Sequence, residues 1–343
     1  MSKKKIYIRV DMNQVIATGH VMRCLSIADE LTQSGLESVF VLADEKATEI
    51  IQNRGYKYIV LNTIWDDMDS EIEKIIELIQ KEKIEKLLID TYQVTENYLN
   101  AIYDLTETIY IDDINMFTYP VHKLVCYASY WQKFDYDKCY QNAITKGTIC
   151  KKPILYMGCS YVPLRQEFRE VHHKIIRRDI NDLLIMSGGT DKYHAIKQIL
   201  NELDINRYAC INVICGRYNK DYDELIEYAE TNTGVHVYNA VDNIIDFMRN
   251  ADVAISAGGT TLYELCAVGT PTIMYSIADN QLDNVMQFDQ DKLMTYVGDY
   301  REGNKLGVEN VLRSYTYDLR KEKSSRMKKM MGTRGRWNEI VSY

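Results

Sequence analysis

The sequence predicts an α/β protein of two doubly wound domains, each a parallel sheet covered by helices. Three observations support this prediction: a length of 343 residues, an alternation of short β-rich runs with amphipathic helical runs, and a break in that alternation at 151–178. A chain of this length accommodates about two domains with a core in each. Alternating strands and helices are typical of parallel sheets built from βαβ units.

The first domain is predicted over 1–165. Its strands are expected at 6–11, 38–42, 57–61, 86–90, 108–112 and 123–127. The clearest helix between them spans 69–82, because four isoleucines recur there at i, i+3, i+4 and i+7 and form one apolar face: Ile72, Ile75, Ile76 and Ile79.

The second domain is predicted over 166–320. Its strands are expected at 182–187, 210–215, 235–238, 252–255 and 271–275. The helices between them are expected near 191–202, 221–230, 241–249, 260–268 and 281–294. The interdomain linker is placed in 151–178, which contains Pro153 and Pro163.

Composition disfavours several classes of protein. The 41 Lys and Arg residues against 49 Asp and Glu give a net charge of −8, which disfavours binding of nucleic acid or anionic lipid. No apolar run reaches the roughly 18 residues of a membrane span, and the N-terminus is interpreted as a first strand instead of a signal peptide. Eight scattered cysteines without a Cys-x-x-Cys pair predict reduced core residues of a cytoplasmic protein.

The motifs of several enzyme classes are missing from the chain. It has no G-x-G-x-x-G, no P-loop, no H-E-x-x-H and no G-x-S-x-G. These absences disfavour a dehydrogenase, a P-loop kinase, a zincin and a serine hydrolase. We predict no metal site and no cofactor.

The loop that follows the first strand contains a candidate base. Gly19 allows a ligand to approach the backbone, and His20 lies near the start of a helix, whose dipole favours a neutral imidazole. A neutral histidine can accept a proton from water. The alternative is that Gly19 is a turn glycine and His20 a capping or exposed histidine.

Two paired glycines separate strands from helices in the second domain. Gly188-Gly189 and Gly258-Gly259 leave backbone N–H groups available to phosphate oxygens, and two such loops suit a diphosphate. Glu264, one helical turn further on, is within reach of ribose hydroxyls. The alternatives are plain turn geometry and an ordinary first-turn acid.

Six motifs together resemble a known family. They are Arg9-Val10-Asp11, Gly19-His20-Val21-Met22-Arg23-Cys24, Leu164-Arg165-x-Glu167-Phe168, Ser187-Gly188-Gly189-Thr190-Asp191, Ser256 to Leu265, and Ala278-Asp279-Asn280-Gln281. Their order over 6–294 resembles the UDP-2,4-diacetamido-2,4,6-trideoxy-β-L-altropyranose hydrolases of pseudaminic acid biosynthesis, which supply surface glycans such as those of flagellin. The second half is more distantly similar to the peptidoglycan N-acetylglucosaminyltransferase.

The resemblance implies a GT-B-type fold, with two Rossmann-like domains facing each other across a cleft. The sugar would meet the N-terminal domain, UDP would bind the C-terminal one, and a helix within 321–343 would pack back on the N-terminal domain. The chain departs from the family pattern at Lys192, where the family has proline.

The resemblance also implies the reaction and its residues. His20 would be the base that activates water for attack at the anomeric carbon, with inversion, release of UDP and no need for a metal. The substrate-binding residues it implies are Asp11, Gly19, Arg23, Arg165, Gly188, Gly189, Thr190, Gly258, Gly259, Thr260, Glu264, Asp279, Asn280 and Gln281.

Two alternatives to a UDP-sugar hydrolase remain open at this point. A GT-B glycosyltransferase would pass the sugar from a UDP-sugar to a hydroxyl acceptor with the same base. A non-catalytic UDP-sugar binding protein would retain the nucleotide loops, although His20 within its motif disfavours that reading. Protein partners are not predicted.

Overall fold

The computed structural model describes residues 4–13, 18–170, 173–189, 191–216, 219–239, 241 and 243–342. The chain forms two compact units, one comprising Met1–Gln166 with Thr333–Tyr343 and the other Glu167–Gly332. Each unit holds one parallel sheet flanked by helices. The predicted fold class of two doubly wound α/β domains is therefore confirmed.

The sheet of the first unit has seven parallel strands in the order β3-β2-β1-β4-β5-β6-β7. These strands are β1 (Lys5–Val10), β2 (Glu37–Leu42), β3 (Lys57–Val60), β4 (Lys86–Asp90), β5 (Glu107–Ile111), β6 (Lys123–Cys126) and β7 (Ile154–Met157). Its helices are α1 (Gly19–Gln33), α2 (Thr48–Asn53), α3 (Ile72–Glu82), α4 (Glu96–Tyr103) and α5 (Tyr136–Lys146). The short helix α6 (Gln166–Arg169) begins at Gln166, where the chain passes from the first unit to the second. The six expected strands are confirmed, and β7 lies in the stretch expected to be linker.

The sheet of the second unit has six parallel strands in the order β10-β9-β8-β11-β12-β13. They are β8 (Asp182–Met186), β9 (Cys210–Cys215), β10 (Val235–Asn239), β11 (Val253–Ala257), β12 (Thr272–Ser276) and β13 (Thr295–Asp299). The helices are α7 (Ala195–Glu202), α8 (Tyr222–Thr231), α9 (Ile244–Asn250), α10 (Thr261–Val268), α11 (Leu282–Gln290), α12 (Val308–Ser314) and α13 (Tyr317–Met331). The helix expected over 281–294 ends earlier because the chain must reach β13, a strand that was not expected.

The strands are apolar because both faces of each sheet are covered. Every residue of β4 and of β11 is buried, as a parallel sheet between two helical layers requires. On α3 the isoleucine face points inward, with Ile75 and Ile79 buried and Ile72 and Ile76 packed against the same cluster. The helical spacing in the sequence therefore marks the core side of this helix.

The segment expected to form one returning helix, 321–343, is divided between the units. Residues up to Gly332, including the end of α13, belong to the second unit. The last helix, α14 (Trp337–Val341), belongs to the first unit, where the Trp337 backbone N–H donates to Glu30 Oε1 at 2.6 Å and Lys123 Nζ donates to the Ile340 carbonyl at 2.7 Å.

All eight cysteines are free thiols, but they are not all core residues. Cys150 is exposed, and Cys139 and Cys210 are half-buried. The expectation of eight core cysteines is wrong for these three: Cys150 follows α5, Cys210 begins β9, and Cys139 lies in the first turns of α5 but is not among its buried residues.

Both sheets reverse their strand order at one point, between β1 and β4 in the first and between β8 and β11 in the second. Ligands of open parallel sheets bind beyond the carboxyl ends of the strands at such a switch point. The segments after these four strands are therefore where the candidate sites are expected in each unit.

Candidate functional site

His20 lies at the switch point of the first unit. It is the second residue of α1, and its buried imidazole places Nδ1 at 2.8 Å from Oδ1 of Asp90, the last residue of β4. Tyr92 meets the imidazole edge-on, with ring centroids 4.8 Å apart. The structure therefore places the predicted base against a carboxylate that the sequence analysis missed.

Arg23, one turn further along α1, binds both carboxylate oxygens of Asp90. Its Nε donates to Asp90 Oδ2 at 2.5 Å, a second guanidinium nitrogen donates to Oδ1, and Nη1 donates to the Tyr127 hydroxyl at 2.8 Å. Burial alone would raise the pKa of the Asp90 carboxyl, but the Arg23 charge and the hydrogen bonds from Arg23 and His20 outweigh it and hold that pKa below its ordinary value. Asp90 is consequently an ionised carboxylate at neutral pH.

Two charged groups approach Nδ1 of His20: the Asp90 carboxylate at 2.8 Å and a guanidinium nitrogen of Arg23 at 2.9 Å. With its proton on Nε2, the ring accepts from Arg23 through Nδ1; with its proton on Nδ1, it donates a charge-assisted hydrogen bond to Asp90. In the second case the lone pair of the neutral ring lies on Nε2. This tautomer is the one that can take a proton from a water molecule.

The buried pair predicts how stability depends on pH. Replacing Asp90 with Asn leaves the Arg23 side chain, which is 13% exposed, with only its longer 3.4 Å pair to Asp113 among the described residues, and we expect a loss of about 3 kcal/mol at neutral pH. Because the folded pKa of Asp90 lies below the value near 3.9 of an unfolded chain, the wild type has this contribution above pH ~4 and loses it as the pH falls further.

Urea unfolding between pH 7 and pH 3 measures this difference in the free energy of unfolding. The gap between wild type and Asp90→Asn should shrink toward pH 3. The matched control is Asp137→Asn, since the Asp137 side chain is 75% exposed in its pair with Lys152 and should change stability little at any pH. A gap that stays constant across this range would contradict the lowered pKa.

Asp11, the residue after β1, is held by groups of the chain itself. Its Oδ1 accepts from the Ala43 backbone N–H at 2.8 Å and its other oxygen pairs with Arg9, which also forms two 2.8 Å bonds with Glu71. All three charged side chains are buried. The structure thus gives Asp11 a part in a buried ion network, and its proposed contact with substrate stays a prediction.

The other predicted residues of the first unit occupy different positions. Gly19 is the exposed first residue of α1, with no atom within 4 Å of a Cβ built on it. Arg165 is half-buried in the segment before α6. A binding role for these two residues and for Arg23 stays a prediction.

A cavity of about 630 Å³ opens at the switch point of the second unit. The loops after β8, β11 and β12 line it. Six of the predicted binding residues are among the lining residues: Gly188, Gly189, Gly259, Thr260, Asp279 and Gln281. The glycine loops that the sequence picked out therefore meet in one cavity large enough for a nucleotide.

The glycines at this cavity have different tasks. A Cβ on Gly259 would have no atom within 4 Å, so this residue faces open space, whereas a Cβ on Gly258 would lie 2.4 Å from Val285 Cγ1 on α11. Gly216, which follows β9, packs directly against the first glycine loop. A Cβ there would lie 2.1 Å from the Gly188 carbonyl oxygen, so a side chain at this position would displace the loop. The sequence analysis missed Gly216, although a glycine directly after a strand was a signal for it.

The start of α10 offers backbone donors to the cavity. Among the described residues, no acceptor is paired with the N–H groups of Thr260 and Thr261 at the start of α10. At α7, in contrast, the Asp191 carboxylate accepts from Ala195 N at 2.8 Å and Ile196 N at 2.9 Å. The α10 terminus therefore suits an anion, and the α7 terminus is already capped.

The predicted residues of the second unit differ in their surroundings. Two of them are bonded to other side chains or backbone groups, others lie outside the cavity lining, and one is not described. Asp279 pairs with Arg301 at 2.7 Å, and Gln281 Oε1 accepts from the Ile277 N–H at 2.9 Å. Asn280 is exposed and Glu264 half-buried in the first turn of α10, and neither is among the residues that line the cavity. Thr190 lies outside the described residues, and the ribose contact of Glu264 stays a prediction.

Nine lining residues were not selected as binding residues by the sequence analysis, and three of these are charged or aromatic. Lys192 and Tyr193 follow the first glycine loop, and Arg301 follows β13. Lys192 Nζ lies 5.5 Å from the centroid of the Tyr193 ring. The formal positive charges at this cavity are thus contributed by residues outside the motifs.

Two features are absent from the described part of the chain. Within those ranges no helix is long and apolar enough to cross a membrane. The same ranges contain no group of three or more His, Cys, Asp or Glu side chains arranged to hold a metal ion.

Known proteins share sequence similarity with the second unit and with most of the chain. Residues 183–335 match the glycosyltransferase family 28 C-terminal domain. An uncharacterized protein of Methanocaldococcus jannaschii is 25% identical over 319 residues, which cover 89% of this chain and 62% of that protein. The UDP-2,4-diacetamido-2,4,6-trideoxy-β-L-altropyranose hydrolase of Campylobacter jejuni is 23% identical over 265 residues, which cover 76% of this chain and 87% of the hydrolase.

Comparison of structures extends over both units. Arabidopsis thaliana UGT89C1, solved in complex with UDP, superposes with a TM-score of 0.66 and 11% identity, and the alignment covers 99% of each chain. The chain has the GT-B fold. The GT-B fold that the resemblance implied is therefore confirmed.

Proposed function

We propose that this protein is a UDP-sugar hydrolase that breaks the bond between the anomeric carbon and the diphosphate. The observation that carries the proposal is the His20–Asp90 pair at the switch point of the first unit. A buried carboxylate against Nδ1 favours the tautomer whose lone pair lies on Nε2, and this is the arrangement that a histidine general base uses. The proposed UDP site is the glycine-lined cavity of the second unit.

In the proposed reaction, His20 Nε2 takes a proton from a water molecule as the water oxygen bonds to the anomeric carbon. The bond from that carbon to the diphosphate oxygen breaks, and UDP leaves with the electron pair. Attack from the face opposite the leaving group inverts the anomeric configuration. Asp90 stabilises the imidazolium that forms, and the free N–H groups of Thr260 and Thr261 suit the charge on UDP.

The comparisons support this choice of substrate class. The Campylobacter jejuni relative carries the name of a hydrolase of a UDP-linked diacetamido sugar, and the Arabidopsis thaliana structure holds UDP. With the six motifs, these findings favour a UDP-linked 2,4-diacetamido-trideoxyhexose as the substrate. We propose a cytoplasmic enzyme on the same ground, because UDP-sugars are made in the cytoplasm.

The proposal is tested by incubating the protein with UDP-linked diacetamido sugars in ¹⁸O-labelled water. We expect UDP release, one ¹⁸O atom in the sugar product and none in UDP, and a product anomer opposite to the substrate by early NMR spectra. Label in UDP would show attack at phosphorus and overturn the proposed mechanism. No UDP release from any member of the panel would contradict the proposed activity.

A second candidate function is sugar transfer to a hydroxyl acceptor. The observation that favours it is the match of residues 183–335 to the glycosyltransferase family 28 C-terminal domain. The two reactions differ in their need for an acceptor. A hydrolase releases UDP from the donor in water alone, whereas a transferase releases it at a substantial rate only after an acceptor is added.

A further inference from the structure

Charge is distributed unevenly over the cavity of the second unit. Its lining contains two cations, Lys192 and Arg301, and one carboxylate, Asp279. Arg301 is neutralised, because its guanidinium pairs with Asp279 at 2.7 Å and with Asp299 at 2.8 Å. No described side chain forms an ion pair with Lys192. Lys192 therefore supplies the positive charge of this cavity that the protein does not itself balance.

The backbone that carries Lys192 is held on both sides. The preceding residue, Asp191, is buried and caps α7 through two backbone N–H groups. The carbonyl of the following residue, Tyr193, accepts from Gln198 Nε2 at 2.7 Å. The Lys192 side chain itself is exposed, and among the described residues its contact is the face of the Tyr193 ring. The geometry is thus a fixed attachment point with a movable ammonium group.

A second feature of the lining indicates an oxygen-rich ligand. Ser187 is 3% exposed and lines the cavity, and its hydroxyl has no hydrogen-bond partner among the described residues. A buried hydroxyl without a partner costs free energy unless a ligand completes it. Together with the free N–H groups of Thr260 and Thr261, it offers donors for several oxygen atoms of one anion.

We infer that Lys192 binds the diphosphate of the nucleotide and neutralises the charge that develops on it when the glycosidic bond breaks. The inference rests on the proposed function and adds to it a residue outside the motifs that led to it. An ammonium group on a flexible stem reaches a phosphate as a point charge, while neutral N–H and O–H donors fix the orientation. Lys192 then stabilises the departing UDP and makes no contact with the sugar.

The test is a comparison of UDP and uridine binding by calorimetry. Lys192→Gln should weaken UDP binding about 10- to 100-fold, the cost of one hydrogen bond to a charged group, and leave uridine binding unchanged. Lys192→Arg should keep most of the UDP affinity because it restores the charge. The matched control is Lys305→Gln, which makes the same charge change at an exposed position of the second unit away from the cavity.

Turnover provides a second readout. If Lys192 stabilises the departing diphosphate, Lys192→Gln lowers kcat as well as raising KM, and the loss in kcat is smaller for a UDP-sugar analogue with a more acidic leaving group. Unchanged UDP affinity in Lys192→Gln, or equal losses of UDP and uridine affinity, would overturn the inference about Lys192. The proposed function would stand in that case as long as the wild type binds UDP. A wild type that binds no UDP would instead remove the proposed function.

Discussion

Replacing His20 with Asn is expected to lower turnover about 10²- to 10⁴-fold, the usual contribution of a general base, with the fold and UDP affinity nearly unchanged. The Nε2 lone pair that would accept the proton of water is lost. The variant should remain folded, because the neighbouring ion pair between Asp90 and Arg23 does not depend on the imidazole. Steady-state kinetics and calorimetric binding of UDP measure the two effects separately.

The matched control for this substitution is His122→Asn in the same unit. His122 is a half-buried structural histidine, stacked on Tyr103 at 4.3 Å and within 3.1 Å of the Thr108 backbone nitrogen. We expect it to lower the melting temperature and leave turnover per folded molecule intact. Full turnover in His20→Asn would remove His20 from the mechanism, and a loss of turnover that merely follows a loss of stability would give it a structural role.

The positions of most strands could be predicted from the sequence because both sheets are buried on two faces. Their central strands are continuous apolar runs, and their ends were predicted to within two residues. Two of the four edge strands, β7 and β13, were missed for physical reasons. β7 is a short apolar run, but it directly follows Lys151-Lys152-Pro153, which resembles a linker. β13 contains Gly298 and ends in Asp299, so it lacks the apolar run of a central strand.

The candidate sites could be predicted in part. His20 and the paired glycines stand out because they follow strand ends in motifs, and the structure brings the glycines of two loops into one cavity. Asp90 was missed because its partner is 70 residues away in the sequence, and only the strand order shows that β1 and β4 are neighbours. An aspartate directly after the apolar run Leu87-Leu88-Ile89 was the available signal.

The cations of the cavity were missed for a related reason. Lys192 and Arg301 lie 109 positions apart in the sequence, and each resembles an ordinary surface cation. Their importance depends on which carboxylates lie near them, and Asp279 and Asp299 are adjacent to Arg301 and not to Lys192. Charge balance of this kind follows from tertiary structure and not from local sequence.

Replacing Gly259 with Phe is expected to weaken UDP binding about 10²- to 10⁴-fold without unfolding the protein. A Cβ at this position would meet no atom within 4 Å, so the ring has room in the cavity that we propose for the diphosphate. The ring would displace the phosphates from the N–H groups at the start of α10, and each lost hydrogen bond to a charged group costs about 1.5–3 kcal/mol.

The neighbouring glycine gives the control that separates binding from folding. In Gly258→Ala the new Cβ would lie 2.4 Å from Val285 Cγ1 and 3.0 Å from Gln281 Cβ, so overpacking should cost about 1–3 kcal/mol of stability. We therefore expect Gly258→Ala to lower the melting temperature, and Gly259→Phe to keep the melting temperature and lose UDP in calorimetry. Unchanged UDP affinity in Gly259→Phe would place the nucleotide outside this cavity, since no diphosphate can share the volume that the ring occupies.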